Sequence, residues 1–181
     1  MARYVAFLRA INVGGSHVVK MDFLRELFEG LGFANVETFI ASGNVIFETR
    51  SKDLATLEGK IEKVLEEVLG YEVVTFIRSL PEVGAIARYQ PFSASAMASA
   101  VALNVGLLKE PLSKETRAAL LKLRTNVDDF HTNGSELYWI CLKRQSESRI
   151  SNAVFERALR VKATFRGMRT MEKLLARYRI G

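Results

Sequence analysis

Two short stretches hold the residue types from which an anion site is built. Residues 9–15 read Arg-Ala-Ile-Asn-Val-Gly-Gly, and residues 42–44 read Ser-Gly-Asn. Arg9 offers a bidentate guanidinium fork, Asn12 and Asn44 offer amides, and Ser42 offers a hydroxyl. Glycine-rich turns at Gly14, Gly15 and Gly43 leave backbone N–H groups able to cradle an oxyanion. The chemistry is the holding of a carboxylate or phosphate, with Arg166 as a further cation completing the pocket. Gly14-Gly15 matches neither phosphate-loop pattern, since no Gly-Lys-Ser/Thr follows and no Gly-x-Gly-x-x-Gly is present. The same residues also suit plain turns, with glycines at positive φ and the asparagines capping their own backbone.

A second candidate is electrostatic. Residues 143–181 hold 11 lysines and arginines against Glu147, Glu156 and Glu172, so a net +8 sits in this segment of a chain whose total is +6. Such asymmetry points to an anionic partner, nucleic acid being the obvious polyanion. Arg169, Lys173 and Arg177 recur at i, i+4 and i+8, one stripe of a helix, and Arg157, Arg160 and Lys162 lie close in sequence. The competing expectation is internal neutralisation by Glu58, Glu62, Glu66 and Glu67 on an earlier helix. Sheet-based RNA readers carry aromatics in a Lys/Arg-Gly-Phe/Tyr pattern, which residues 45–49 lack, so recognition of that kind is disfavoured.

Other chemistry finds less to work with. His17 and His131, with the single Cys141, have no zinc-ligand spacing, and no metal or cofactor is expected. Cys141 sits in an apolar run and reads as a small core residue. No Gly-x-Ser-x-Gly is present, and Ser42 has no identifiable base. Asp128 and Asp129 are adjacent in a strand-like run and would point to opposite faces, which favours solvated or capping roles over Mg²⁺ binding. Nothing here decides whether the chain is an enzyme.

The elements that must position these residues follow from periodicity. Residues 3–11 are strand-like. Phe23, Leu24, Leu27, Phe28 and Leu31 recur at helical spacing before Gly32. Residues 36–41 and 45–49 form two strands around Ser42-Gly43-Asn44, a second amphipathic helix spans Leu54 to Leu69, and residues 71–79 close with a fourth strand. The order β-α-β-β-α-β is that of the ferredoxin-like unit. A short helix opened by the Ser79-x-x-Glu82 capping box then leads into a linker. The order starts again: a strand over 100–108, a helix capped by Ser113, a hairpin around Asn133-Gly134, a helix over 152–160, a short strand over 161–165 and an extra helix over 168–179. Two ferredoxin-like α+β units are therefore expected, over 1–79 and 99–181, joined by a linker over 80–98. In such a sheet the end of strand 1 shares an edge with the strand 2–strand 3 hairpin, so Arg9, Asn12, Gly14 and Gly15 should approach Ser42, Gly43 and Asn44.

The stretches Leu-Arg-Ala-Ile-Asn-Val-Gly-Gly at 8–15 and 20–49, with the late Thr164-x-Arg166, resemble the bacterial family catalogued as domain of unknown function 1697. The resemblance covers nearly the whole chain and is densest over 7–49. It implies a small cytosolic protein with a duplicated ferredoxin-like fold, and it implies no activity. The family pattern Thr-x-Arg-Asn-Trp-x-Thr is met here by Gly167 and Met168 in place of Asn and Trp.

At 181 residues, 49% hydrophobic and 25% charged, the chain can bury a substantial core. No apolar run approaches a membrane span and the first residues lack the apolar core of a secretion signal, so a cytoplasmic protein with no membrane partner is expected. The role expected first is binding of a small anionic or phosphorylated ligand at the Arg9/Ser42 edge; polyanion binding by the basic segment comes next, and a structural or interaction protein is the third alternative. The oligomeric state is expected to be monomer or homodimer.

Overall fold

The computed structural model describes residues 1–12 and 18–179. The chain divides into two compact units, Met1–Val83 and Gly84–Gly181. Among the described residues it is a mixed α+β protein with two four-stranded antiparallel sheets and seven α-helices.

The first unit runs β1 (Ala2–Leu8), α1 (Met21–Gly30), β2 (Ala34–Thr38), β3 (Asn44–Thr49), α2 (Leu54–Leu69) and β4 (Thr75–Ser79). Its sheet has the order β2-β3-β1-β4, with every neighbour antiparallel. Tyr4, Ala6 and Leu8 of β1 alternate toward the helices and pack with Phe47, Ile77, Leu24, Phe28 and Ile61. The opposite parity, Val5, Phe7, Ile46 and Phe76, is also fully buried, so these strands read as unbroken apolar runs. α2 begins where the Asp53 side chain accepts from the Thr56 N–H and ends where Gly70 turns left-handed at φ +76°.

In the second unit α4 (Ala94–Ser99) precedes β5 (Ala102–Leu107), α5 (Lys114–Leu121), β6 (Asp128–Asn133), β7 (Glu136–Cys141), α6 (Asn152–Leu159), β8 (Thr164–Gly167) and α7 (Met168–Arg177). Its sheet order, β6-β7-β5-β8, is that of the first sheet strand for strand. The correspondence extends to single hydrogen bonds. The Leu8 N–H donates to the Gly43 carbonyl at 2.8 Å, and the Leu108 N–H donates to the Ser135 carbonyl at 2.9 Å. Val5 pairs with Arg78 and Val105 with Arg166. At Gly106 a Cβ would lie 2.7 Å from the Phe165 ring, so only glycine lets that ring cross the strand and meet Trp139 and Phe155 edge-on.

Several boundaries differ from expectation, each for a local reason. β1 ends at Leu8, not at residue 11, because Ala10 and Asn12 turn left-handed at φ 62° and 57°. β2 covers Ala34–Thr38 and not 36–41: Ile40 adopts φ 50°, and residues 39–43 form the hairpin loop. The second hairpin closes on the Asn133–Glu136 pair, so Gly134-Ser135 forms its turn, one residue later than Asn-Gly implies. Residues 161–163 are not strand, and β8 begins at Thr164. In the chain, α3 (Leu80–Arg88) and then α4 follow β4 and precede β5. The capping box forms at the start of α3: the Ser79 N–H donates to Glu82 Oε2 at 2.7 Å, and the Glu82 N–H donates to Ser79 Oγ at 3.4 Å.

Candidate functional site

The two loops of the first candidate do meet at one end of the first sheet. A Cβ on Gly43, which adopts φ +70°, would lie 3.1 Å from Ile11 Cβ and 3.2 Å from Leu8 Cβ. The Asn12 side-chain amide donates to the Val19 carbonyl at 3.1 Å and to the Ala41 carbonyl at 3.3 Å, while its Oδ1 accepts from the Val19 N–H at 2.6 Å. Asn12 therefore ties both ends of its own loop together and joins that loop to the hairpin. Asn44 is fully buried, and its Nδ2 donates to the Phe39 carbonyl at 3.0 Å and to Ser42 Oγ at 2.8 Å. Arg9 is half-buried, and its backbone N–H donates to the Val74 carbonyl at 2.9 Å. So the structure brings Asn12 to the hairpin that holds Ser42, Gly43 and Asn44, but the Asn12 amide is spent on backbone and the Asn44 amide on the Phe39 carbonyl and Ser42 Oγ. Gly14, Gly15 and His17 lie outside the described residues. Arg166 belongs to the second unit.

The basic segment is placed on α6, β8, α7 and the turns between them. Arg157, Arg160, Lys162, Arg169, Lys173 and Arg177 are all exposed, while Met168, Met171 and Leu174 anchor α7 from its other side. Among the described residues no ion pair engages Arg157, Arg160, Arg169 or Lys173. Two of the glutamates expected to neutralise this segment bond backbone of their own unit. Glu58 accepts from the Ile77 N–H at 2.9 Å and Glu62 from the Thr75 N–H at 2.8 Å, both on the outer edge of β4. With Glu82 on Ser79, three carboxylates cover that edge's outward donors, a guard against pairing with another chain. Arg166 is half-buried and donates to Thr164 Oγ1 at 2.8 Å and to the Phe165 carbonyl at 2.9 Å. Burial pushes its guanidinium down to about 10, so it keeps its charge at neutral pH.

The residue that sequence reasoning placed wrongly is Asp128. It was expected at a solvated or capping position, yet only 2% of it is exposed. Its Oδ1 accepts from Trp139 Nε1 at 2.8 Å and Ser148 Oγ at 2.9 Å, and its Oδ2 from Thr125 Oγ1 at 2.7 Å and Ser148 Oγ at 2.9 Å. Burial pushes this carboxyl up, but the donors Thr125, Trp139 and Ser148 outweigh it and hold Asp128 below the usual carboxylate range. Asp129 points the other way, as adjacent strand residues must, and pairs with Arg124. His131 bonds the Tyr89 hydroxyl at 2.8 Å. Cys141 is buried, and burial pushes its thiol up, which suits a core residue rather than a nucleophile. Among the described residues no cluster of three or more His, Cys, Asp or Glu could hold a metal ion, and no helix is long and apolar enough to cross a membrane.

Comparison with known proteins adds a family and a fold. Residues 1–138 match the model of a protein family of unknown function, DUF1697, and the chain belongs to that family. A solved structure, of a conserved bacterial protein from Streptococcus pneumoniae, superposes with a TM-score of 0.72 at 24% identity, covering 96% of each chain. No curated protein matches.

Proposed function

We propose that this DUF1697 member binds a polyanion, with nucleic acid as the class, through the basic C-terminal segment of its second unit. The observation that carries the reading is the set of exposed Arg157, Arg160, Arg169 and Lys173, which no ion pair engages among the described residues. A surface holding unpaired cations gains by releasing the counterions of a phosphate backbone, and that gain is independent of sequence. The test is fluorescence anisotropy with a labelled single strand at rising salt. If these four cations each meet a phosphate, log K falls against log salt with a slope of about −3, and R169Q/K173Q halves that slope. No binding at low salt, or an unchanged slope in the variant, refutes it. We also propose that both units are ferredoxin-like and related by duplication; the shared strand order, register and matched Leu8 and Leu108 hydrogen bonds support this.

A second reading, a small anionic ligand at the Arg9/Ser42 edge, draws on one observation. Three non-glycine residues there, Ala10, Asn12 and Ile40, hold left-handed backbone, and such strain gathers at binding sites. Titration calorimetry with inorganic phosphate on the protein and on Arg9→Gln tests it: heat lost in the variant supports the edge, and no heat in either refutes it.

A further inference from the structure

The second unit contains a cleft of about 350 Å³ whose walls are drawn together by Asp128. One wall is Thr125 and Asn126 ahead of β6; the other is the run from Lys143 through a 3₁₀ turn (Gln145–Glu147) to Arg149. Asp128 pins the first through Thr125 Oγ1 and the second through Ser148 Oγ, which also accepts from the Ile150 N–H at 2.9 Å. The lining is polar, with Val127 its one apolar residue and no aromatic ring.

Lys143 and Arg149 stand exposed on this cleft, and no ion pair engages either among the described residues. Glu147, the exposed carboxylate of the lining, has Arg144 4.0 Å away. Asp128 is buried with both oxygens taken by donors, so cations dominate the groups a ligand would meet. A guanidinium fork and an ammonium converging on one cleft suit a phosphate monoester. The volume lies at the small end of ligand sites, and without a ring to stack on or an apolar wall the remainder of the ligand must be polar. The Asn126 amide and Glu147 would then bond hydroxyls.

We propose that this cleft binds a small phosphorylated polyol or sugar, with Lys143 and Arg149 on the phosphate. The site is separate from the cations of α6 and α7 and does not rest on the polyanion reading.

The chain's one tryptophan gives the assay, because Trp139 donates to the carboxylate beneath the cleft. Glucose 6-phosphate should change Trp139 fluorescence saturably with a Kd below a millimolar, inorganic phosphate should bind more weakly, and glucose should not bind. K143Q and R149Q, both at exposed positions, should keep the wild-type unfolding midpoint and weaken binding at least tenfold. R169Q/K173Q should leave it unchanged. Tighter binding of adenosine monophosphate than of glucose 6-phosphate overturns the ligand class. A Kd for glucose 6-phosphate above about 1 mM by fluorescence and by calorimetry, or no binding at all, overturns the site. So does unaltered affinity in R149Q, or a loss in R169Q/K173Q equal to that in R149Q.

Discussion

Replacing Asp128 with asparagine removes one charge from a buried position while keeping the side chain's shape, and the structure fixes what that costs. Three donors converge on the carboxylate: Trp139 Nε1, Ser148 Oγ and Thr125 Oγ1. Asparagine can still accept from Trp139, but its NH₂ then faces the two hydroxyls. Those hydroxyls are not free to reverse roles easily. Thr125 Oγ1 already accepts from the Val127 and Asp128 N–H groups, and Ser148 Oγ from the Ile150 N–H. One or two charge-assisted bonds at about 1.5–3 kcal/mol each are lost, so D128N should cost about 2–4 kcal/mol, and D128A more, because Trp139 Nε1 is then orphaned. Urea unfolding followed by Trp139 fluorescence reads the second unit alone, since the chain has one tryptophan. The sign of the pH effect follows from the direction of the shift. Asp128 is held below its ordinary value in the fold, so its contribution is complete above about pH 5, where the unfolded carboxylate is also ionised. As pH falls further the unfolded chain takes up the proton first, and the contribution is lost on the way down through the folded value. The gap between wild type and D128N should therefore be widest at pH 7 and shrink below about pH 5. A gap under 1 kcal/mol at pH 7, which is less than one such bond contributes, or one that stays constant down to pH 2.5, well below the ordinary carboxylate value, refutes the assignment of a buried, ionised Asp128.

The remaining predictions test the packing and the loops. Gly106→Ala puts a methyl 2.7 Å from the Phe165 ring and should destabilise the second unit by about 1–3 kcal/mol in the same urea assay. Glu58→Ala with Glu62→Ala uncovers two outward N–H groups of β4; thermal unfolding should start earlier, and light scattering should show stronger concentration-dependent association than in wild type. Asn44→Ala removes a fully buried amide that braces the 39–43 loop and should cost about 1–3 kcal/mol by far-UV circular dichroism melts, with or without phosphate present.

How much of this was legible in the chain depends on how local each cause is. The bounds of α2, residues 54 to 69, follow from its apolar period alone, and the Asp53 cap and left-handed Gly70 that the structure shows lie next to that same segment. The strand order was accessible for a similar reason: helix–strand alternation and the handedness of crossovers leave few topologies, and these brought the Asn12 loop to the Ser42 hairpin. The strand ends were not accessible at Ala10 and Ile40, since nothing about an alanine or an isoleucine announces a left-handed backbone. At the loops themselves, residue type gave the inventory of donors and acceptors but not their partners. Whether an asparagine amide points at a ligand or at a carbonyl 29 residues away, as Asn12 does with Ala41, is settled by loop geometry alone.

Asp128 carries its burial in the alternation of its strand. In β6 it has the same parity as Phe130, which faces the helices, so an alternating strand places this carboxylate on the core side of the sheet. A charge there must have partners, and two candidates were within sight: Thr125, three residues earlier, and Trp139, a core residue on the neighbouring strand whose indole N–H needs an acceptor when buried. Alternation alone says that Asp128 and Asp129 face opposite sides of the strand; the parity of Phe130 says which of them faces the core. Ser148, 20 residues on and in a turn without periodicity, had no such signal, and it is the residue that brings the Lys143–Arg149 run over the cleft. The part of the candidate site that lies in a strand was therefore derivable, and the part that lies in the turn required the fold.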